Sequence, residues 1–280
     1  IICGGEGFTD MEEFGKCKED WLRKFLELPN GIPSHDTFGR LFSILDPEAF
    51  HSCFVNWTQA LHDSTNGEVI ALDGKSIRRS FDSASEKSSL HIVSAWATAN
   101  GLALGQVRVD DKSNEIRAIP KLLEMLDIKG RTITTDAMGC QKEIARQIVD
   151  RGGDYVLCLK GNHADLHDEI KFFFDECASA GYEDVDYGYF ESVEKDHGRI
   201  ETRRYWVVED DAIKWLEIEG QWPGMKSIVA VEAQQTKRGR TSIETRYFIS
   251  SLKGNVKNIA NAIRDHWKIE NSLHWVLDVT

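Results

Sequence analysis

The sequence predicts an α/β protein that begins with a small helical domain. Two observations carry this prediction. Short apolar runs alternate with helical repeats over residues 65–162, and two of those runs end on an aspartate. The 280 residues are 41% hydrophobic and 29% charged, which is enough apolar material for one large domain or two to three small ones.

Residues 1–64 are predicted to form the helical domain. The run from Thr37 to Leu45 is amphipathic, and Asp46-Pro47 ends it and begins the next helix, with proline in the first helical position. That helix is expected to reach about Leu61. Residues 63–67, Asp-Ser-Thr-Asn-Gly, are rich in turn formers, so we place the first domain boundary there.

Residues 65–162 are predicted to form the first part of a catalytic core. Asn100-Gly101 is a strong hairpin signal between two of its strands. Apolar runs predict strands at 68–73, 90–97, 102–109, 131–136 and 154–159, and helical repeats predict helices at 113–126 and 141–149. The order β-β-β-α-β-α-β is ribonuclease-H-like, with right-handed crossovers, and it requires one more helix after the fifth strand.

That last core helix is expected far downstream, within residues 253–280, on the repeat from about Asn255 to Leu277. The intervening residues 163–252 are predicted to form a β-rich insertion subdomain. Its expected elements are a helix at 163–178, a hairpin at 186–208 and strands at 227–235 and 242–250. The whole fold is therefore written β-β-β-α-β-α-β…α, with a β-rich insertion before the last helix.

Three carboxylates have matching places in this order. Asp73 is expected to end the first strand, Asp136 to end the fourth strand, and Glu270 lies on the last helix. Neighbouring strands and a helix packed across them would bring the three together, and anions so close repel one another unless cations separate them. Carboxylate oxygens suit Mg²⁺, for which Mn²⁺ is expected to substitute. Taken singly, each aspartate also suits a turn or helix cap, and Glu270 a helix surface.

Long motifs in the same order carry a family resemblance. They are Leu72-Asp73-Gly74-Lys75-Ser76, DKSNEI at 111–116, TDAMGCQ at 135–141, LKGN at 159–162, HGRIETR at 197–203 and HWKIENSLHWVLDV at 266–279. Together they resemble the H-repeat-associated insertion-sequence transposases, which are DDE enzymes. The resemblance implies that Asp73, Asp136 and Glu270 are the catalytic, metal-binding triad. It also implies cleavage at the element's terminal repeats, strand transfer into target DNA, and a homodimer on DNA.

The helix that carries Glu270 departs from related transposases at auxiliary positions. Related enzymes with a β insertion often carry a tyrosine and an arginine before the glutamate and a lysine after it. This chain has Ile263 seven residues before Glu270, His266 four before and Leu277 seven after. Whether His266 and His274 replace the auxiliary residues stays open.

Basic side chains are segregated along a chain whose net charge is -12. That net charge argues against general nucleic-acid binding, but residues 234–257 hold six bases and one acid, whereas residues 163–196 hold 11 acids and two bases. Phosphate contacts and ordinary solvated charges are both open for these bases. The candidates for DNA contact are Lys75, Arg78, Arg79, Lys160, Arg199, Lys237, Arg238, Arg240 and His266.

Two alternatives to an active transposase follow from the same residues. One is a remnant that binds DNA without catalysis, and the other is a metal-dependent nuclease that lacks strand transfer. The six cysteines form no CxxC pair, which predicts buried free thiols and a cytoplasmic protein. No apolar run approaches ~18 residues, so no membrane contact is expected. Because the chain lacks an initial Met and its last motif stops at Thr280, we expect a piece of a longer chain.

Overall fold

Two compact units divide the chain, residues 1–56 with Thr280 and residues 57–279. The computed structural model describes residues 7–62, 68–77, 90–109, 115–183, 185–196, 199–209, 213–214, 222–237 and 240–279.

The described part of the first unit is helical. Helices α1 (Phe8–Cys17), α2 (Glu19–Leu22), α3 (His35–Ile44) and α4 (Pro47–His62) follow one another, and α4 runs on into the second unit. Side chains cap two of them: Ser34 Oγ accepts a hydrogen bond from the Thr37 amide, and Asp46 Oδ1 accepts one from the Glu48 amide at 2.9 Å. Helices α3 and α4 confirm the two helices that the sequence predicted between Thr37 and Leu61.

The second unit has a mixed α/β fold, as predicted. Its first five strands are β1 (Val69–Ser76), β2 (His91–Ala97), β3 (Leu102–Val109), β4 (Thr132–Thr135) and β5 (Asp154–Leu159), with helices α5 (Glu115–Glu124) and α6 (Lys142–Asp150) between them. They lie side by side in the order β3-β2-β1-β4-β5. Strand β1 is antiparallel to β2 and parallel to β4, and β4 is parallel to β5. The sequence predicted the first of these helices, α5, from residue 113, and residues 113 and 114 lie outside the described residues.

The insertion contributes four long strands to the same sheet. Helix α7 (Ala164–Ser179) precedes β6 (Tyr187–Asp196), β7 (Arg199–Glu209), β8 (Ser227–Lys237) and β9 (Arg240–Ser250). The segment predicted as a β-rich insertion does form strands, and β9 pairs antiparallel with β5, so the described strands form one nine-stranded sheet. This pairing satisfies the backbone groups that β5 would otherwise leave open at a sheet edge.

The last helix is interrupted at Glu270. Helix α8 (Val256–Ile269) is capped by Asn255, whose Oδ1 accepts a hydrogen bond from the Lys257 amide at 2.9 Å. A π-helical turn covers Glu270–His274, and helix α9 (Trp275–Val279) follows. We expected one regular helix from Asn255 to Leu277. The π turn corrects that expectation, and it shifts the helical register between Glu270 and His274.

Alternate residues of β5 point into two cores on opposite faces of the sheet. Leu157 packs with helices α5, α6 and α7, whereas Val156 packs with Ile259 and Ile263 of α8. The apolar face of α8 thereby fixes that helix across the sheet and sets the position of Glu270.

Free thiols are found at all five cysteines in the described residues. Cys140, Cys158 and Cys177 are buried as predicted, whereas Cys17 and Cys53 are exposed, which corrects the expectation of burial for these two. Both exposed thiols lie on helices of the small first unit, which has little interior to cover them. Among the described residues, no helix combines the length and hydropathy that crossing a membrane requires.

Candidate active site

Strand pairing brings two of the predicted carboxylates to one place in the sheet. Leu72 of β1 and Thr135 of β4 are Cα partners in the parallel pair, and Asp73 and Asp136 follow them directly. Both aspartates therefore lie at the same end of that pairing. We expected Asp73 to end its strand, but β1 continues to Ser76 because it stays paired with β2 beyond the end of β4.

Backbone amides hold both carboxylates in position. Asp73 Oδ1 accepts a hydrogen bond from the Gly74 amide at 2.9 Å, and Asp136 Oδ1 accepts one from Met138 at 2.9 Å and one from Gly139 at 3.3 Å. A Cβ on Gly139 would stand 2.6 Å from the Thr135 Cβ, so this turn requires glycine. The Asp136 carboxylate thus caps a tight turn and also borders the cleft described next.

One cleft contains all three predicted carboxylates. Its volume is about 150 Å³, and Glu270 stands exposed at the start of the π turn. The other lining residues are Thr134, Thr135, Val156, Cys158, Lys160, Arg246, Phe248, Ile263, His266 and Trp267. Val156, Phe248 and Ile263 contribute apolar surface to the cleft, and such surface raises the free energy of unpaired anions beside it.

The surroundings of Asp73 and Glu270 in the cleft disfavour the ionised forms of both carboxyl groups. Burial, followed by the charge of Asp136, raises the pKa of Asp73 to about 7. Burial also raises the pKa of Glu270, with Asp136 adding to the rise and the Arg246 guanidinium opposing it. Repulsion among the three carboxylates therefore opposes full ionisation, and a cation between them would relieve it.

The donor set fits a divalent cation by its chemistry. Oxygen donors from carboxylates are the ligands that Mg²⁺ and Mn²⁺ take. As the side chains stand, no group of three or more His, Cys, Asp or Glu residues in the described ranges is arranged closely enough to hold an ion. Glu270, being exposed at the cleft mouth, is the carboxylate with most room to move toward the two aspartates.

Two neutral histidines flank the carboxylates. His266 Nδ1 lies 3.0 Å from Thr134 Oγ1, and burial lowers its pKa to about 4. His274 Nδ1 lies 3.4 Å from Asp73 Oδ2, and burial, followed by the charge of Lys75, lowers its pKa to about 4. The two histidines therefore lie against different strands, His266 against Thr134 of β4 and His274 against Asp73 of β1.

The predicted DNA contacts are distributed over several places. Lys160 and His266 line the cleft itself, and Lys75 forms an ion pair with Asp278, with Nζ and Oδ2 2.6 Å apart. Arg199 lies in an adjoining groove beside Glu201, whereas Lys237 and Arg240 are exposed partners at the tip of the β8–β9 hairpin. The remaining candidates lie outside the described residues: Arg78, Arg79 and Arg238.

Sequence reasoning missed one arginine at the centre of this region. Arg246 of β9 lines both the cleft and the adjoining groove of about 320 Å³. Its guanidinium carbon lies 4.7 Å from the centroid of the Trp267 ring, and Glu244 accepts two hydrogen bonds from it, at 2.8 and 3.1 Å. The basic run at 234–257 contained Arg246, but local sequence does not say which of its bases faces the carboxylates.

A second network missed from the sequence lies behind Asp73. His91 Nδ1 lies 2.9 Å from Ser76 Oγ, and its Nε2 lies 2.6 Å from Glu115 Oε1. His91 and Glu115 are buried, and a Cβ on Gly74 would stand 2.4 Å from the Glu115 carboxyl group. This network therefore fixes the backbone immediately after Asp73.

Two family models match the chain. The one described as Transposase DDE domain matches residues 64–280, and the one described as DDE_Tnp_1-associated matches residues 1–58. The chain therefore belongs to the DDE transposase family.

Within that family, the motifs pointed to the H-repeat-associated group, and the relatives confirm this. The H repeat-associated putative transposase YhhI of Escherichia coli K12 is 42% identical over 285 residues, which covers 100% of this chain and 74% of that protein. An uncharacterized protein in the dhlA 3′ region of Xanthobacter autotrophicus is 49% identical over 254 residues, covering 90% of this chain and 83% of that protein.

Proposed function

We propose that this chain is an active DDE transposase that cleaves DNA at the ends of an insertion sequence and transfers the strands to target DNA. The observation that carries the proposal is the shared cleft of Asp73, Asp136 and Glu270. The strand order β3-β2-β1-β4-β5 with parallel β1 and β4 supports a ribonuclease-H-like core around that cleft. Family membership supports transposition as the reaction.

Asp73 and Asp136 would hold two Mg²⁺ ions, or Mn²⁺ in their place, with Glu270 completing the site. Such a pair of ions supplies a nucleophile at neutral pH and stabilises the leaving oxygen in phosphoryl transfer. The protein's contribution is to hold the carboxylates: the amides of Gly74, Met138 and Gly139 orient the two aspartates.

DNA is the proposed partner, bound as element ends and as target, and a homodimer would hold two ends together. Lys160 and His266 would contact the strand at the cleft, and Arg199 would contact it in the adjoining groove. Positive side chains fix register on phosphates without reading sequence. The other proposed contacts are Lys75, Arg78, Arg79, Lys237, Arg238 and Arg240. Free thiols and a DNA substrate support a cytoplasmic location.

Cleavage of supercoiled DNA that carries the element ends tests the proposal. With Mg²⁺ or Mn²⁺ the parent should nick the DNA and Asp136→Asn should lose nicking by two orders of magnitude or more, on the order of 3 kcal/mol. Asp168→Asn, an exposed aspartate of α7, is the matched control and should cleave like the parent. Equal nicking by Asp136→Asn would remove that residue from the mechanism. Pre-cleaved ends that are never joined would indicate a nuclease without strand transfer.

A DNA-binding remnant without catalysis is the second candidate. The observation in its favour is that the described carboxylates do not already stand in ligating positions. Metal titration separates the two candidates: a metal-induced rise in melting temperature that disappears in Glu270→Ala counts against the remnant. An unchanged melting temperature at saturating Mn²⁺ would favour it.

A further inference from the structure

A buried histidine faces the first catalytic carboxylate. His274 is 5% exposed, and its Nδ1 lies 3.4 Å from Asp73 Oδ2. Its Nε2 is buried, and the described residues provide no hydrogen-bond partner for it. Nδ1 is therefore the ring nitrogen that is placed to share an ion with Asp73.

The helix geometry directs this histidine to the carboxylate. His274 ends the π turn that Glu270 begins, and the two side chains differ in environment: Glu270 is exposed at the cleft mouth and His274 is buried against Asp73. The helix end is held there because Lys75 of β1 forms an ion pair with Asp278 of α9. π-helical turns are rare in proteins overall, and those that do occur are often found at functional sites.

The two side chains are spaced like ligands of one ion. Asp73 Oδ1 is already bonded to the Gly74 amide, so Oδ2 is the oxygen that faces His274. A separation of 3.4 Å exceeds the ~2.7–3.2 Å of an N–H···O hydrogen bond. Neighbouring ligand atoms on an octahedral ion with bonds of about 2.1 Å stand about 3 Å apart. The observed separation of Nδ1 and Oδ2 is within about 0.5 Å of that spacing.

We propose that His274 is a nitrogen ligand of the divalent ion that Asp73 holds, which rests on the metal site proposed above. The site of Asp73 then has mixed oxygen and nitrogen donors. Both Mg²⁺ and Mn²⁺ take oxygen donors, but Mg²⁺ demands a near-ideal oxygen shell and retains water, whereas the transition ion Mn²⁺ tolerates one nitrogen donor beside them. The site is therefore selective for Mn²⁺ over Mg²⁺, and loss of His274 reduces that selectivity.

Pulsed electron paramagnetic resonance of the Mn²⁺-loaded protein reads the ligand directly. The parent and His266→Gln should show hyperfine coupling to ¹⁴N, and His274→Leu should lose it. His266 is the matched control because it lies on the same helix and bonds to Thr134. Mn²⁺ affinity in His274→Leu should fall on the order of 10- to 100-fold, and Mg²⁺ affinity should fall less.

The outcomes separate this proposal from the proposed function. Bound Mn²⁺ without nitrogen coupling in the parent, or coupling that persists in His274→Leu, overturns the His274 assignment and leaves the carboxylate site standing. Absence of Mn²⁺ binding overturns both. If His274→Leu fails to fold, His274→Asn keeps a polar group of similar reach, and persistent nitrogen coupling in it is again contrary to the proposal.

Discussion

Lys75 Nζ and Asp278 Oδ2 lie 2.6 Å apart, although 203 residues separate them in the chain. The ion pair joins β1, two residues after Asp73, to α9 at the end of the last helix. Both side chains are mostly buried, at 19% and 16% exposure. The pair therefore holds the helix that carries Glu270 and His274 against the strand that carries Asp73.

Replacing only one residue of this ion pair should destabilise the protein more than replacing both residues by apolar ones. Lys75→Met removes the ammonium group that faces the mostly buried Asp278 carboxylate, which should cost about 1–3 kcal/mol of unfolding free energy. The double variant Lys75→Met with Asp278→Leu should cost less than the sum of the two single changes. Urea denaturation in a double-mutant cycle measures the coupling. Additive costs would show that the two residues do not stabilise each other.

Removing the charge of Asp73 should stabilise the metal-free protein above neutral pH. Folded Asp73 keeps its proton up to about pH 7, whereas the unfolded chain releases it near ~4. Between these values the folded state holds one more proton, so the parent loses stability as pH rises from about 4 to about 7, and the deficit persists at higher pH. Asp73→Asn in EDTA should exceed the parent by about 2–4 kcal/mol at pH 8 and should match it near pH 4.

Thermal melts of Asp73→Asn over that pH range, with Asp168→Asn as the exposed control, measure this effect. Saturating Mn²⁺ should reverse the order, because the ion stabilises the parent and has lost a ligand in the variant. A variant that is less stable than the parent at pH 8 in EDTA would mean that Asp73 has a structural role instead.

Gly74→Ala should disturb the site from behind. The added Cβ would stand 2.4 Å from the Glu115 carboxyl group, which is buried and bonded to His91, so it cannot move aside freely. Overpacking of this kind costs about 1–3 kcal/mol and should displace Asp73, with weaker Mn²⁺ binding. Gly161→Ala, where nothing lies within 4 Å of the new Cβ, is the control. Denaturation and Mn²⁺ titration measure the stability and the Mn²⁺ affinity of both variants. If Gly74→Ala and Gly161→Ala have equal stability and equal Mn²⁺ affinity, the tight contact between position 74 and Glu115 does not support the site.

Arg246→Ala should separate DNA binding from metal binding. The guanidinium lies in the carboxylate cleft, so its removal takes away a phosphate contact and also a positive charge that opposes cation binding. DNA affinity should fall, with a salt slope smaller by about one charge, while Mn²⁺ affinity stays equal or rises. Arg146→Ala, exposed on α6, is the control. Filter binding at several salt concentrations tests this, and unchanged DNA affinity would place the strand elsewhere.

Local pattern was enough to predict the parts of the core that place the two aspartates. Apolar runs of strand length gave β1 and β4, and the element order made them neighbours, so Asp73 and Asp136 were expected side by side. The same element order placed Glu270 on a last helix packed across them, and Ile259 and Ile263 of that helix do pack on the sheet.

Long-range pairing was beyond local pattern. The contact of β9 with β5 joins segments about ninety residues apart, and no periodicity within either strand specifies its partner. The π turn likewise depends on contacts outside the helix, where His274 meets Asp73 and Lys75 meets Asp278. Lys75 was predicted as a DNA contact from its charge, and the sequence did not indicate its ion pair with Asp278.

The proposal that Asp73, Asp136 and Glu270 bind divalent ions is best tested by diffraction from crystals soaked in Mn²⁺, with data collected at the manganese absorption edge. We expect an anomalous peak between the carboxylates of Asp73 and Asp136, with Glu270 turned toward it. Well-ordered Asp73 and Asp136 side chains with no anomalous peak in their cleft, at Mn²⁺ concentrations that support DNA cleavage, would contradict it.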